Sequence, residues 1–170
     1  MSAFDLSHAQ SVYLADRTLE SGIDFVHSDG SSGQLYIVET VASGLATFDF
    51  DQDGWIDILF LSGTPLPQAN KAFKPAYNAL YRNLGNGRFI EVTQEAGLID
   101  HAYHLGVCVG DVDNDGDEDL YFSNFGENIF YLNEGRGCFK EATFEAGLSG
   151  CHGFGAGACF LDADMDGDLD

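Results

Sequence analysis

The nonapeptide Asp111-Val112-Asp113-Asn114-Asp115-Gly116-Asp117-Glu118-Asp119 reads D-x-D-x-D-G-x-x-D, and the pattern returns at residues 49–57 and 162–170. Carboxylates at positions 1, 3, 5 and 9 of such a loop can converge on one point, because the glycine at position 6 permits a sharp turn. The first loop supplies Asp49, Asp51, Asp53 and Asp57. The second supplies Asp111, Asp113, Asp115 and Asp119, and the third Asp162, Asp164, Asp166 and Asp170. Position 7 is expected to add a backbone carbonyl, from Trp55, Asp117 and Asp168. Hard oxygen donors in this number suit Ca²⁺, which tolerates 6–8 irregularly placed oxygens, better than Mg²⁺, which holds to a strict octahedron. An EF-hand begins the same way but requires a glutamate at position 12 and a helix on each side. Position 12 is Phe60 in the first loop and Phe122 in the second, and the flanks at 45–48 and 56–61 read as strands. An EF-hand is therefore rejected.

Working outward, the loops start at residues 49, 111 and 162, spacings of 62 and 51. Residues 81–98 (YRNLGNGRFIEVTQEAGL) and 131–148 (YLNEGRGCFKEATFEAGL) agree at 11 of 18 positions at an offset of 50. A unit of about 50 residues thus repeats. The longer first spacing is explained by an insertion at 64–76, which contains all three prolines. Within a unit, residues 104–110, 119–123, 128–133 and 138–143 are four short runs rich in aromatic and β-branched residues, separated by Gly, Asn and Asp turns. Four antiparallel strands in such a unit make one blade of a β-propeller. The fold class expected is all-β. The organisation expected is an N-terminal outer strand and the approach to the first blade at 13–43, a blade at 44–98 with its insertion, a blade at 99–148, and the start of a third at 149–170. The outer strand is inferred because residues 14–23 resemble 89–98. Two blades do not close a propeller, so the remaining blades are expected in a longer parent protein.

The chain has 170 residues and a formal net charge of −21. The three loops hold 15 of its 28 acids, leaving 13 acids against 7 bases elsewhere. The acidity therefore belongs to the loops and asks for a cation, since like charges clustered without one repel. The same field excludes nucleic acid as a partner. No run of 18 apolar residues exists, so no membrane span is expected. Cys108 and Cys159 stand three residues before their loops and are expected to be small buried thiols on equivalent strands. The spacing leaves a Cys138–Cys151 pair open.

Residues 105–120 and the Phe154-Gly155/Gly157-Ala158 stretch resemble FG-GAP/VCBS repeats of integrin-type and bacterial propellers. Residues 80–93 and the segment Ser21-Gly22-Ile23-Asp24-Phe25-Val26-His27 are similar to the cartilage acidic protein/UnbV (ASPIC/UnbV) group. The resemblance implies a calcium-binding propeller acting in secreted, extracellular or periplasmic recognition and adhesion. The third loop departs from the others in carrying Met165 at position 4, against Gln52 and Asn114.

The function expected is thus a non-enzymatic, calcium-stabilised scaffold with a protein or glycan ligand. The insertion, with Lys71, Phe73, Lys74 and the neighbouring Tyr77, is one candidate contact, although no partner-binding residue is assigned. The alternative is a propeller-based hydrolase or lyase using His101, His104 or His152, its site mostly in sequence outside this chain. No G-x-S-x-G, H-E-x-x-H or catalytic-cysteine pattern supports it, and no catalytic residue is assigned.

Overall fold

A computed structural model describes residues 14–42, 44–66, 77–150 and 152–170. The insertion beyond Leu66, with Lys71, Phe73 and Lys74, lies outside them, as does Cys151. Two antiparallel sheets dominate. In the first, β1 (Leu45–Phe48), β2 (Asp57–Phe60), β3 (Ala79–Asn83) and β4 (Phe89–Glu91) lie side by side in chain order. In the second, β5 (Tyr103–Gly110), β6 (Asp119–Glu127), β7 (Ile129–Asn133) and β8 (Phe139–Glu141) do the same, and β9 (His152–Phe154) pairs with the far end of β6. The chain is a propeller fragment built of four-stranded blades.

Each of the first two acidic loops is the turn of the hairpin formed by the first two strands of a blade. Phe48 pairs with Asp57 and Gly110 with Asp119 at the base of the loop. Around the third loop no strand is formed, yet the same closure is made. The Leu161 and Asp170 main chains exchange both hydrogen bonds, at 3.3 and 2.9 Å. The second hairpin of each blade has the offset of 50 in its register: Tyr81 pairs with Glu91 and Tyr131 with Glu141.

The alternation of side chains across the pleat sends Ala46 and Phe48 of β1, Leu59 of β2 and Leu80 of β3 to one buried face. They join Leu98, Leu120, Phe122, Tyr131 and Phe139 in one core shared by both blades. Leu59, Leu80 and Leu120 are fully buried, each stabilising by about 1.5–3 kcal/mol relative to an exposed side chain. The rings of Phe48, Phe50 and Phe139 meet at centroid distances of 6.4 Å across the blade boundary.

The blades also touch at the rim. After β4, residues 92–98 make a single turn in which Ala96 N donates to Val92 O, and the Ala96 carbonyl accepts Phe139 N of the next blade at 2.8 Å. Gly97 has φ +80°, and a Cβ there would lie 2.7 Å from the Phe139 carbonyl oxygen. The N-terminal segment repeats this arrangement. Helix α1 (Thr18–Ser21) is one turn, closed by Ser21 N on Arg17 O, and a Cβ added at Gly22 (φ +80°) would lie 2.9 Å from the Phe89 carbonyl oxygen. Of the outer strand and exit expected over residues 14–23, the strand is not formed among the described residues. Its Asp16 instead accepts both the amide and the hydroxyl of Thr18 in an Asx turn just ahead of the helical turn. What residues 14–23 share with 89–98 is the exit turn.

Candidate metal centres

The three loops share one hydrogen-bond scheme. Position 1 accepts two amides: Asp49 from Asp53 and Gly54 at 3.0 and 2.8 Å, Asp111 from Asp115 and Gly116 at 3.1 and 3.0 Å, Asp162 from Asp166 and Gly167 at 3.2 and 3.1 Å. Position 5 accepts the amide of position 7, from Trp55, Asp117 and Asp168 at 2.9, 2.9 and 3.0 Å. The winding needs the left-handed region twice. Gly54, Gly116 and Gly167 have φ of 88°, 98° and 100°, and Gln52, Asn114 and Met165 at position 4 have 57°, 58° and 64°. Asparagine accepts that conformation readily, whereas methionine does so under strain.

This winding gathers carboxylate oxygens within 4.8 Å of one another in three groups: Asp49, Asp51 and Asp53; Asp111, Asp113 and Asp115; Asp162, Asp164 and Asp170. In the third group position 9 stands where position 5 does in the others. Asp57 and Asp119, the position-9 residues of the first two loops, are fully buried and belong to neither group. Their oxygens hold the main chain. Asp57 accepts Phe50 N at 3.2 Å and Asn83 N at 2.7 Å; Asp119 accepts Val112 N at 2.9 Å and Asn133 N at 2.8 Å. Each oxygen keeps a second lone pair. One carboxylate thus ties the loop to the end of the third strand of its blade. Burial, with Asp51 and Asp53 adding like charge, pushes the Asp57 carboxyl up to about 6 against the pull of its two amides. Asp119 is raised for the same first reason.

The residues present fit a hard cation. Asp51 Oδ1 is buried and has no hydrogen-bond partner. A buried carboxylate oxygen without a donor costs free energy that a cation among Asp49, Asp51 and Asp53 removes. The Arg82 guanidinium, 3.7 Å from Asp51 Oδ2, offsets only part of the charge. Burial and then Asp53 raise the Asp51 carboxyl. The position-8 residue of the second loop, Glu118, is raised by burial, with Asp49 and Asp111 adding like charge.

The histidines separate. His104 is buried, with Nδ1 2.8 Å from Asn124 Oδ1 and Nε2 2.7 Å from Asp100 Oδ1. His101 packs its ring on Tyr77, and His152 is exposed on β9. None belongs to a carboxylate group. Cys108 is buried and accepts Phe160 N at 3.0 Å, whereas Cys159 is exposed, contrary to expectation, because no strand forms around it. Cys138 is exposed and has no disulfide partner among the described residues, and Cys151, the pairing left open by the sequence, lies outside them.

The family described as FG-GAP-like repeat matches residues 49–122 and 111–170, two overlapping copies each beginning on the first aspartate of an acidic loop. The chain belongs to the FG-GAP-like repeat family. Among curated proteins it is similar to human Cartilage acidic protein 1, with 32% identity over 187 aligned residues, covering 85% of this chain and 28% of that protein. The mouse protein of the same name is 31% identical over 81 residues, 47% of this chain and 12% of the relative. The FG-GAP-like chain therefore spans well under two thirds of either relative. No described helix is long and apolar enough to cross a membrane.

Proposed function

We propose that this repeat module binds Ca²⁺ in its acidic loops and serves, outside the cytoplasm, as a rigid scaffold for recognition or adhesion. The observation that carries the reading is the convergence of three carboxylates in each of three loops, with one buried Asp51 oxygen left unpartnered. Calcium here closes a hairpin and has no chemical step to perform. The likeness to Cartilage acidic protein 1 supports an extracellular setting.

A ligand surface is available at the other end of the strands. A groove of about 720 Å³ is lined by Leu66, His101, Tyr103, Phe125, Glu127 and Phe144, among others. Tyr103 and Phe125 pair at the ends of β5 and β6 remote from the acidic loop, roughly 20 Å away at about 3.3 Å per residue. A protein or glycan partner would meet aromatic walls and carboxylates there. His101 is the histidine among the described residues of this lining, and its ring faces Tyr77.

The test is calorimetric titration of Ca²⁺ into the metal-stripped chain, with a melting curve at each end. At ~1 mM free Ca²⁺ and a Kd of ~10 μM, one site stabilises by roughly 2.7 kcal/mol, or about 5–11 °C for a chain of this size. A folded chain that gives neither heat nor stabilisation overturns the reading.

A further inference from the structure

The residue at position 4 of each of the first two loops reaches into the next loop. Gln52 Nε2 donates to the Gly116 carbonyl at 2.6 Å, and Asn114 Nδ2 donates to Asp168 Oδ1 at 2.6 Å. These partners lie 64 and 54 residues away in sequence, at positions 6 and 7 of the following loop. Both donors sit on left-handed backbone, at φ 57° and 58°, so each amide is aimed only while its own loop is wound. Each acceptor lies at or beside the residue whose carbonyl is the expected donor to the next cation, Asp117 or Asp168.

From this we infer that Gln52 and Asn114 are positioning residues that couple neighbouring cation sites. Binding in one loop fixes its position-4 amide, and that amide holds position 6 or 7 of the next loop in place. The second cation then meets a loop whose ordering has partly been done, which is the condition for positive coupling without a change of fold. Met165 stands at position 4 of the third loop and has no amide to extend the series. Two filled sites repel each other, so the coupling through the amide must exceed that repulsion to be seen.

The inference rests on calcium binding by the loops, and the experiment separates the two. The amide signals of Gly54, Gly116 and Gly167 report the three loops individually in an NMR calcium titration of the full chain. Asp113→Asn disables the second loop, and the affinity of the first is read at Gly54 in the wild-type and Gln52→Met backgrounds. Glutamine and methionine are both unbranched at Cβ and meet the left-handed region alike, so Gln52→Met removes the donor without a new backbone demand. Asp113→Asn is expected to weaken the first loop at least ~5-fold in the wild-type background, a typical coupling, and less than ~2-fold in Gln52→Met. The charge removed by Asp113→Asn is the same in both, so the difference isolates the link. Asn114→Met should uncouple Gly167 from Gly116, whereas Asn114→Gln, which bears the same backbone demand but keeps the amide, should retain the coupling. Equal effects of Asp113→Asn in the two backgrounds overturn the coupling while leaving calcium binding intact. Glycine signals that do not respond to calcium in the wild-type chain sink both.

Discussion

Asp119→Asn is the substitution that most directly separates a carboxylate that ties the main chain from one that serves a cation. Asp119 is fully buried, and each oxygen accepts one amide, Val112 N at 2.9 Å and Asn133 N at 2.8 Å. Asparagine keeps one acceptor and turns its NH₂ against the other N–H. The lost charge-assisted bond is worth about 1.5–3 kcal/mol and the stranded buried amide about 1–3 kcal/mol. Burial opposes the charge of Asp119, so a neutral side chain regains part of this. The net loss expected in metal-free protein is about 3 kcal/mol, or a fall of roughly 1–2 M in the urea midpoint at unchanged slope. Asp113 is exposed, and Asp113→Asn in the same metal-free assay should change stability by no more than ~0.5 kcal/mol. Adding calcium should bring the two losses close together, because Asp113→Asn then forfeits the roughly 2.7 kcal/mol calcium-dependent gain of its loop. If the two variants are equally stable without metal, Asp119 is not the tie described here and the reasoning fails.

Three further outcomes are expected. Gly97→Ala places a Cβ 2.7 Å from a main-chain oxygen at φ +80°, whereas Gly147→Ala meets only open space at φ +71°. Urea unfolding should show the first costing about 1–3 kcal/mol more than the second, and equal costs would mean the rim contact yields easily. Met165→Asn relieves a left-handed methionine and should raise the stability of the calcium-loaded protein by about 1 kcal/mol in thermal melts; no gain would count against strain at position 4. The pH dependence follows from Asp57, raised to about 6, with Asp51, Glu118 and Asp119 also raised. A raised carboxyl favours the folded state below its unfolded value, and that contribution is lost as pH climbs through the folded value. Metal-free protein should therefore lose stability between about pH 4 and 6.5, while the gain from calcium grows over the same range as its ligands ionise. A metal-free melting temperature that rises through this window would contradict the shifts.

The blades were legible because they rest on local signals. Glycines at position 6, the aspartate alternation and the offset of 50 mark turns and strands whose partners lie close by in sequence. The register of Tyr81 on Glu91 and Tyr131 on Glu141 repeats that offset residue for residue. What sequence reading missed depends on orientation. Asp57 and Asp119 look like any other aspartate of the pattern, and only the folded hairpin shows their oxygens taken up by amides of the third strand. The likeness of residues 14–23 to 89–98 points to an outer strand and its exit, and the shared residues Thr18 and Thr93, Gly22 and Gly97 belong to the exit turn, which is the part that forms. Cys159 was expected to be buried by analogy with Cys108, but burial needs a neighbouring strand, which the local pattern does not supply. The one departure that carried information was Met165. Its oddity in sequence corresponds to a backbone angle shared with Gln52 and Asn114, and to an amide link that it cannot make.

The rim contact has a consequence for how such repeats diverge. Where residues 92–98 meet Phe139, and Gly22 meets Phe89, backbone rests on backbone with no side chain between. The pitch from one blade to the next is then gauged by peptide dimensions, which mutation cannot alter, with only the glycine held fixed. The core between blades is free to exchange one apolar residue for another, and a hairpin is free to lengthen as at 64–76, without the error accumulating around the ring. A propeller assembled this way tolerates drift in the apolar residues of a blade while the pitch to its neighbour is kept.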